Sequence, residues 1–486
     1  MTDLHFRPAV ELLAAIRTRA ISSRELTAHF LQRIERLNPK INAVVTLDAE
    51  RALARAAAAD AALANGTPWG PLHGLPMTIK DTFETAGVRT TAGASELAAH
   101  VPETDAVAVA RLVAAGAIIL GKTNTPLYAG DAQTYNAVFG TTNNPWDLTR
   151  TTGGSSGGAA AALTAGFTGL ELGSDIGGSI RTPSHCCGTY GHKPSYGIVP
   201  GRGHVPGPPG TLSETDLGVF GPMGRSAADL ALELDILAGP DSDEGTAWRL
   251  ALPPPRRARL RDYRFAAWLD DPACPTDTTV RTRLEAVVSM LRKAGATVDD
   301  QARPGFALAD AFRDYARLLW PIISMPMARE QFEDVQAMAR QLAPDDDSHM
   351  ARFARYATQT HREWIVANEW RARYRAQWAE FFRDYDALLC PAVPVPAFPH
   401  DHSEPLIART ITVNGGARSY ADVIIWSGAI GNFAYLPATV APAGRTPEGL
   451  PIGIQIVGPY LEDRTPIDVA TRLAELIGGF EPPPGY

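Results

Sequence analysis

Cysteine is scarce in this 486-residue chain, which carries four: Cys186, Cys187, Cys274 and Cys390. Their spacing matches neither a set of metal ligands nor a disulfide framework. The adjacent pair Cys186-Cys187 reads as filler of small buried volumes in a reducing compartment, which makes the cytoplasm the expected location. Long apolar runs are missing as well. No stretch reaches the roughly 18 apolar residues of a membrane span. The opening MTDLHFRPAVELL also lacks the apolar length of a signal peptide. Nor is there a block of basic residues, since Arg256-Arg257-Ala258-Arg259 is short and follows three prolines. A net charge of −8 and a pI near 5.8 favour solubility and speak against nucleic acid as a partner. No segment repeats at a fixed period.

Glycine and serine, by contrast, are concentrated in Thr151–Arg181, TTGGSSGGAAAALTAGFTGLELGSDIGGSIR. Two Gly-Gly-Ser units, ending at Ser155 and Ser179, bracket an Ala-rich helical segment and an apolar run. Hydroxyls set among paired glycines suit a backbone that approaches something small and turns its N–H groups towards it. A flexible linker would not alternate so tightly with packed elements: Ala159–Leu163 is strongly helix-forming, and Phe167–Leu172 reads as a buried strand.

Around this stretch the chain alternates strand and helix patterns, which indicates an α/β protein with at least partly parallel pairing. Ser22 and Glu25 form a capping box opening a helix that Asn38-Pro39 is expected to stop. Met77–Ile79 and Ala117–Leu120 are short buried strands, the first closing on Lys80. Ser226 caps a helix to about Leu237. Pro253-Pro254-Pro255 is the best linker signal, and beyond it Trp364, Trp370, Tyr374 and Trp378 form an aromatic stripe expected to be core. Ala387–Cys390 and Ile452–Val457 look like returning strands, and Thr465–Ile477 like a final helix. Apolar strands on both sides of the aromatic segment favour one elaborated domain over 1–486. Within it, the glycine-serine motifs occupy 65–240 and an inserted helical, substrate-side segment 256–385. Returning strands and the C-terminal helix occupy 386–486.

A serine hydroxyl is a poor nucleophile near neutral pH and needs a base. None of the eleven histidines is placed to supply one. His400-Asp401-His402 lacks both helical spacing and a third ligand for a metal. Gly153-Gly154-Ser155-Ser156-Gly157 satisfies the G-x-S-x-G pattern of esterases, but the polar Asp147–Thr152 before it does not read as the strand which that elbow requires. No Gly-Lys-Ser/Thr follows the glycines, so a phosphate-binding loop is excluded. The remaining base is a lysine kept neutral by burial, at a cost of about 1.36 kcal/mol per pK unit. Lys80, closing an apolar strand, is the best placed. Asp81 points the other way along the pleat and need not neutralise it.

Taken in order, Pro76-Met77-Thr78-Ile79-Lys80-Asp81, Gly121-Lys122-Thr123-Asn124, Gly153–Gly158 and Gly173–Arg181 resemble the motifs of the amidase signature family. The similarity runs on through Cys187-Gly188, Lys193-Pro194-Ser195 and Gly449–Gln455. It is strong from Gly70 to Gly201 and loose over 240–430. The resemblance implies an α/β fold with a central mixed β-sheet flanked by helices on both faces. It implies Ser179 as acyl-accepting nucleophile, Ser155 as a bridging serine after a cis Gly154 peptide, and Lys80 as terminal base. The oxyanion would be held by the N–H groups of Ile176, Gly177, Gly178 and Ser179. Asp175 and Arg181 would fix the loop. Tyr128, Gly154 and Arg181 are the expected substrate contacts, Arg181 through a substrate carboxylate. Ser195, Cys186 and Tyr128 depart from the family's usual threonine, aromatic and acidic residues.

The implied activity is hydrolysis of a small amide with apolar or aromatic groups, with anilides, esters and carbamates chemically close. No cofactor or metal is expected. The expected partner is the small-molecule amide, with neither nucleic acid nor a membrane, and a homodimer is left open. The alternative is the glutamine-hydrolysing subunit of an aminoacyl-tRNA amidotransferase. A catalytically silent binding protein would be expected to lose Lys80, Ser155 or Ser179, and all three are present.

Overall fold

A computed structural model describes residues 4–205 and 209–486. Its central feature is a mixed sheet of eleven strands. In chain order these are β1 (Val44–Leu47), β2 (Pro76–Lys80), β3 (Ile118–Thr123), β4 (Glu171–Asp175), β5 (Tyr190–Lys193) and β6 (Val219–Gly224). They continue as β7 (Arg264–Ala267), β8 (Thr297–Asp299), β9 (Ala387–Pro391), β10 (Ala438–Arg445) and β11 (Pro451–Val457). The spatial order is β1-β3-β2-β4-β6-β5-β10-β11-β9-β7-β8. β2 lies between β3 and β4 and is parallel to both, whereas the middle of the sheet from β4 to β9 is antiparallel.

Both faces are buried, as the period of two in a strand makes plain. Ala387 and Leu389 of β9 and Phe265 and Ala267 of β7 join one apolar core, with Leu230, Leu284 and Leu473 from helices. Leu388, Cys390 and Ala266 point the opposite way, into a second core with Leu318, Trp378, Trp426 and Phe433. Helices therefore cover the sheet on both sides, as a strand pattern apolar at every position requires. Among the described residues no helix is long and apolar enough to cross a membrane.

Several expectations shift in the structure. The helix opened by the Ser22–Glu25 box runs through Ile41, with Pro39 inside its last turn. It ends where Asn42 turns left-handed and the Asn38 side chain accepts the N–H groups of Ala43 and Val44. β4 starts at Glu171 rather than Phe167, because Thr168 uses its hydroxyl to accept the Thr78 N–H in place of a ladder bond. The segment 256–385 is not purely helical: it contributes β7 and β8, the parallel strands at one end of the sheet. Strands of four and three residues carry too little periodicity to stand out beside the long helices of this segment. In the aromatic stripe Tyr374 and Trp378 are core, but Trp370 is 44% exposed and carries the Arg373 guanidinium over its ring at 4.7 Å.

Close backbone packing fixes the edge next to β2. Gly121 in β3 has φ +155°, and a Cβ there would lie 1.9 Å from the Thr46 carbonyl oxygen of β1. Gly121→Ala is expected to cost about 3 kcal/mol of stability through this overlap. The cost would be read as a lower urea midpoint; a wild-type midpoint would show that β1 can simply move away.

Candidate active site

The site is built where β2 and β4 end side by side. Their parallel register pairs Thr78 with Glu171 and Ile79 with Leu172, so the next residues of each strand emerge together. Lys80 is fully buried, and its Nζ donates to Ser155 Oγ at 2.7 Å and to Ser174 Oγ at 2.9 Å. No carboxylate is within salt-bridge distance of it among the described residues. Burial pulls the amine down to about 7, against the weaker upward pull of Asp175 and Glu171. Glu171 supplies little countercharge, because burial pushes its own carboxyl up to about 8. Asp81 turns away, accepting from the Thr91 hydroxyl and N–H and facing Lys122 at 4.0 Å.

Ser155 precedes the helix Gly157–Thr164 and follows a cis Gly154–Ser155 peptide. Glycine is required at 154, where a Cβ would meet the backbone of Asp131–Gln133 at 2.6–2.7 Å. A short strand, Asp147–Thr151, does precede these glycines, contrary to the sequence reading. It pairs with Asn143-Asn144, forms an isolated bridge from Arg150 to Pro399, and stands outside the central sheet. The Ser156 N–H donates to the Ser179 carbonyl at 3.0 Å, joining the two Gly-Gly-Ser loops.

The loop carrying Ser179 is wrapped around the Asp175 carboxylate. Asp175 accepts from the N–H groups of Gly178 (2.9 Å) and Ile180 (3.0 Å), and from Arg181 Nε and Nη2 at 3.0 and 2.8 Å. Arg181 spends its remaining donors on Gln455, the Ser427 carbonyl and Asn432. Fully buried and saturated, it has no donor for a substrate carboxylate, which corrects the expected contact. It is the fixed counter-ion that holds Asp175 well below the usual carboxylate range despite burial. The Gly178 N–H is likewise spoken for by Asp175. Of the four expected oxyanion donors, those of Ile176, Gly177 and Ser179 have no hydrogen-bond partner among the described residues.

Two cavities meet at Ser179. One of about 530 Å³ is lined by Ser155, Ser174, Tyr128, Glu96 and His204 among others. The other, about 330 Å³, is lined by Gly154, Gly177, Leu319, Trp320, Phe353 and Ile424 among others. Ser179 and Ile176 border both. Three contributors escaped the sequence reading. Ser174 lay within the quoted motif, and the β2–β4 register would have pointed to it. Tyr315, whose hydroxyl donates to the Ile176 carbonyl at 2.8 Å, and Asn432 come from distant segments with no motif. The His400-Asp401-His402 loop lies apart, with His402 stacked on Tyr135 at 3.7 Å and Asp401 accepting from Ser403.

The Amidase family matches residues 25–466. A glutamyl-tRNA(Gln) amidotransferase subunit from Bdellovibrio bacteriovorus is 32% identical over 506 residues, covering 99% of each chain. A solved structure of a vestigial protein complex bearing on the origins of an s-triazine catabolic enzyme superposes with TM-score 0.79 at 29% identity, over 98% of this chain and 99% of its own. The structure of 6-aminohexanoate cyclic dimer hydrolase complexed with substrate gives TM-score 0.74 at 26% identity, over 97% of each.

Removing Arg181 would leave the Asp175 carboxylate buried without its cation. Arg181→Met is expected to lose about 3–5 kcal/mol of stability at neutral pH. Because the folded-state pKa of Asp175 is depressed, the stability it contributes is present above its unfolded value of about 3.9 and is lost as pH falls below that. Denaturant midpoints for wild type and mutant should therefore converge in acid; a constant gap would refute the assignment.

Proposed function

The chain belongs to the Amidase family, hydrolases of amide C–N bonds, and on that premise we propose that it cleaves a small carboxamide through an acyl-enzyme on Ser179. The observation that carries this reading is the 2.7 Å contact between the buried Lys80 amine and Ser155 Oγ. A lysine with pKa about 7 is neutral in half the molecules at neutral pH and can accept a proton. Lys80 takes the Ser155 proton as Ser155 takes that of Ser179, and Ser179 Oγ attacks the carbonyl carbon. The N–H groups of Ile176, Gly177 and Ser179 are the donors available for the oxyanion, each worth about 2.7–4 kcal/mol of barrier. The relay runs backwards to protonate the departing nitrogen. Water then enters by the same route to release the acid.

The substrate we propose has an apolar or aromatic acyl group; the same chemistry extends to anilides, esters and carbamates. The smaller cavity supports this, with Leu319, Trp320, Ile323, Met350, Phe353 and Ile424 on its walls. The one charged residue among its described lining, Asp131, is held by Arg409 at 2.7 Å and Tyr420 at 2.5 Å.

A second reading is the glutamine-hydrolysing subunit of an aminoacyl-tRNA amidotransferase, with protein chains and tRNA as partners. The curated relatives support it better than they support a stand-alone amidase, since that is the name they carry at about one-third identity over nearly the whole chain. The cavity argues the other way. The charged α-carbon groups of glutamine would be desolvated there with no unpaired charged side chain among the described lining residues.

Hydrolysis of aryl amides, aliphatic amides, a nitrophenyl ester, a carbamate and glutamine by the purified chain separates the two. Turnover of an apolar amide, falling about 10⁴-fold or more in Ser179→Ala, is expected. Ammonia release from glutamine alone, or activity appearing only with a partner subunit, would establish the second reading instead. For the favoured substrate, log kcat/KM should rise with unit slope up to pH about 7 and level off above, since the neutral amine is the active form. A flat profile through pH 6–8 would remove Lys80 as the base.

A further inference from the structure

Proton transfer gives the two cavities a direction. In the acyl-enzyme reading, on which the roles of both cavities rest, the C–N bond breaks as the nitrogen receives the proton held on Ser155 Oγ. Lys80 makes good the loss, and no redox step is involved. The departing amine must therefore lie on the side that Ser155 faces. Ser155 and Ser174 line the larger cavity, whereas Gly154 and Gly177 line the smaller. The smaller, apolar cavity is then the acyl side, and about 530 Å³ is open to the amine. That is far more room than ammonia needs, whose share of space is close to the roughly 30 Å³ of a water molecule.

Among the described residues, the rim of the larger cavity carries one unpaired charge. Tyr128 Oη donates to Glu96 Oε1 at 2.6 Å, and this bond holds the Glu96 carboxyl below its usual range, so it is ionised at neutral pH. Among the described residues no basic side chain lies within salt-bridge distance of Glu96. The other ionisable lining groups are spent: Asp175 is bound to Arg181, and burial with the nearby Lys80 and Lys122 keeps His204 neutral. Tyr128 is itself in an uncommon conformation. Its φ of 47° and that of Ala129, 57°, are left-handed, and its N–H is tied to the Ala92 carbonyl at 2.8 Å. Bulky residues adopt that region only where surroundings impose it, and such positions cluster at ligand-binding sites.

We propose that the larger cavity binds the leaving amine, that this amine bears a positive charge, and that Glu96, oriented by Tyr128, selects it. The substrate class is thus an N-substituted amide with an apolar acyl group and a cationic amine portion. Glu96 is exposed, so the selection is modest: a factor of about five in kcat/KM, eroded by salt.

The test compares phenylacetyl amides of two amines of the same shape, (2-aminoethyl)trimethylammonium and 3,3-dimethylbutylamine, with p-nitrophenyl phenylacetate as a shared-acyl control. Wild type should prefer the cationic amide about fivefold at low salt, and Glu96→Gln should bring the ratio to about one. Tyr128→Phe should reduce it in part. Equal rates for the two amides in wild type, a preference that survives Glu96→Gln, or ester turnover with neither amide cleaved would each overturn the assignment. Ester hydrolysis that persists in Ser179→Ala would instead overturn the acyl-enzyme reading beneath it.

Discussion

An amine buried among hydroxyls is the constraint on which this site rests. Lys80 enters the interior with Ser155 and Ser174 as its hydrogen-bond partners and, among the described residues, no carboxylate in contact. Had Asp81 or Glu171 closed on it, the pair would have been charged and the amine unable to accept a proton. The surrounding structure keeps both away by separate means: Asp81 is taken by Thr91 and Lys122, and Glu171 is buried deeply enough to stay protonated near neutral pH. The neutral lysine is thus a property of two strands and a loop, not of one residue.

Asp175 and Arg181 do for the backbone what those arrangements do for the amine. Their buried ion pair curls the loop so that Gly178 and Ile180 point inward to the carboxylate, which leaves the N–H groups of Ile176, Gly177 and Ser179 unspent. Arg181 also reaches Gln455 on β11 and Asn432, so the loop is anchored to segments more than 240 residues away in sequence. Ion pairs of this kind contribute little net stability and serve to fix geometry.

Much of this was legible in the sequence, and what was not has physical causes. Lys80, Ser155 and Ser179 stand in dense local motifs, and β2, β9, β11 and the last helix follow from apolar runs of ordinary length. β7 and β8 were missed because four- and three-residue strands at a sheet end carry too little periodicity beside long helices. Arg181 was given to a substrate because sequence does not show which donors are already engaged; its partners at Ser427, Asn432 and Gln455 are tertiary. The bond from the Gly178 N–H to Asp175 is hidden from sequence for the same reason. Tyr315 had no signal at all.

That tyrosine has a bearing on how such chains diverge. It sits on the helix Leu308–Ile323, where its hydroxyl steadies the Ile176 carbonyl, and over the following two turns Leu319, Trp320 and Ile323 form the apolar wall. The part that steadies the Ser179 loop and the part that walls the apolar cavity therefore share a helix without sharing residues. Mutation can redraw the wall at 319, 320 and 323 while Tyr315 stays in place, so that a lineage can exchange one substrate for another without first giving up its catalyst.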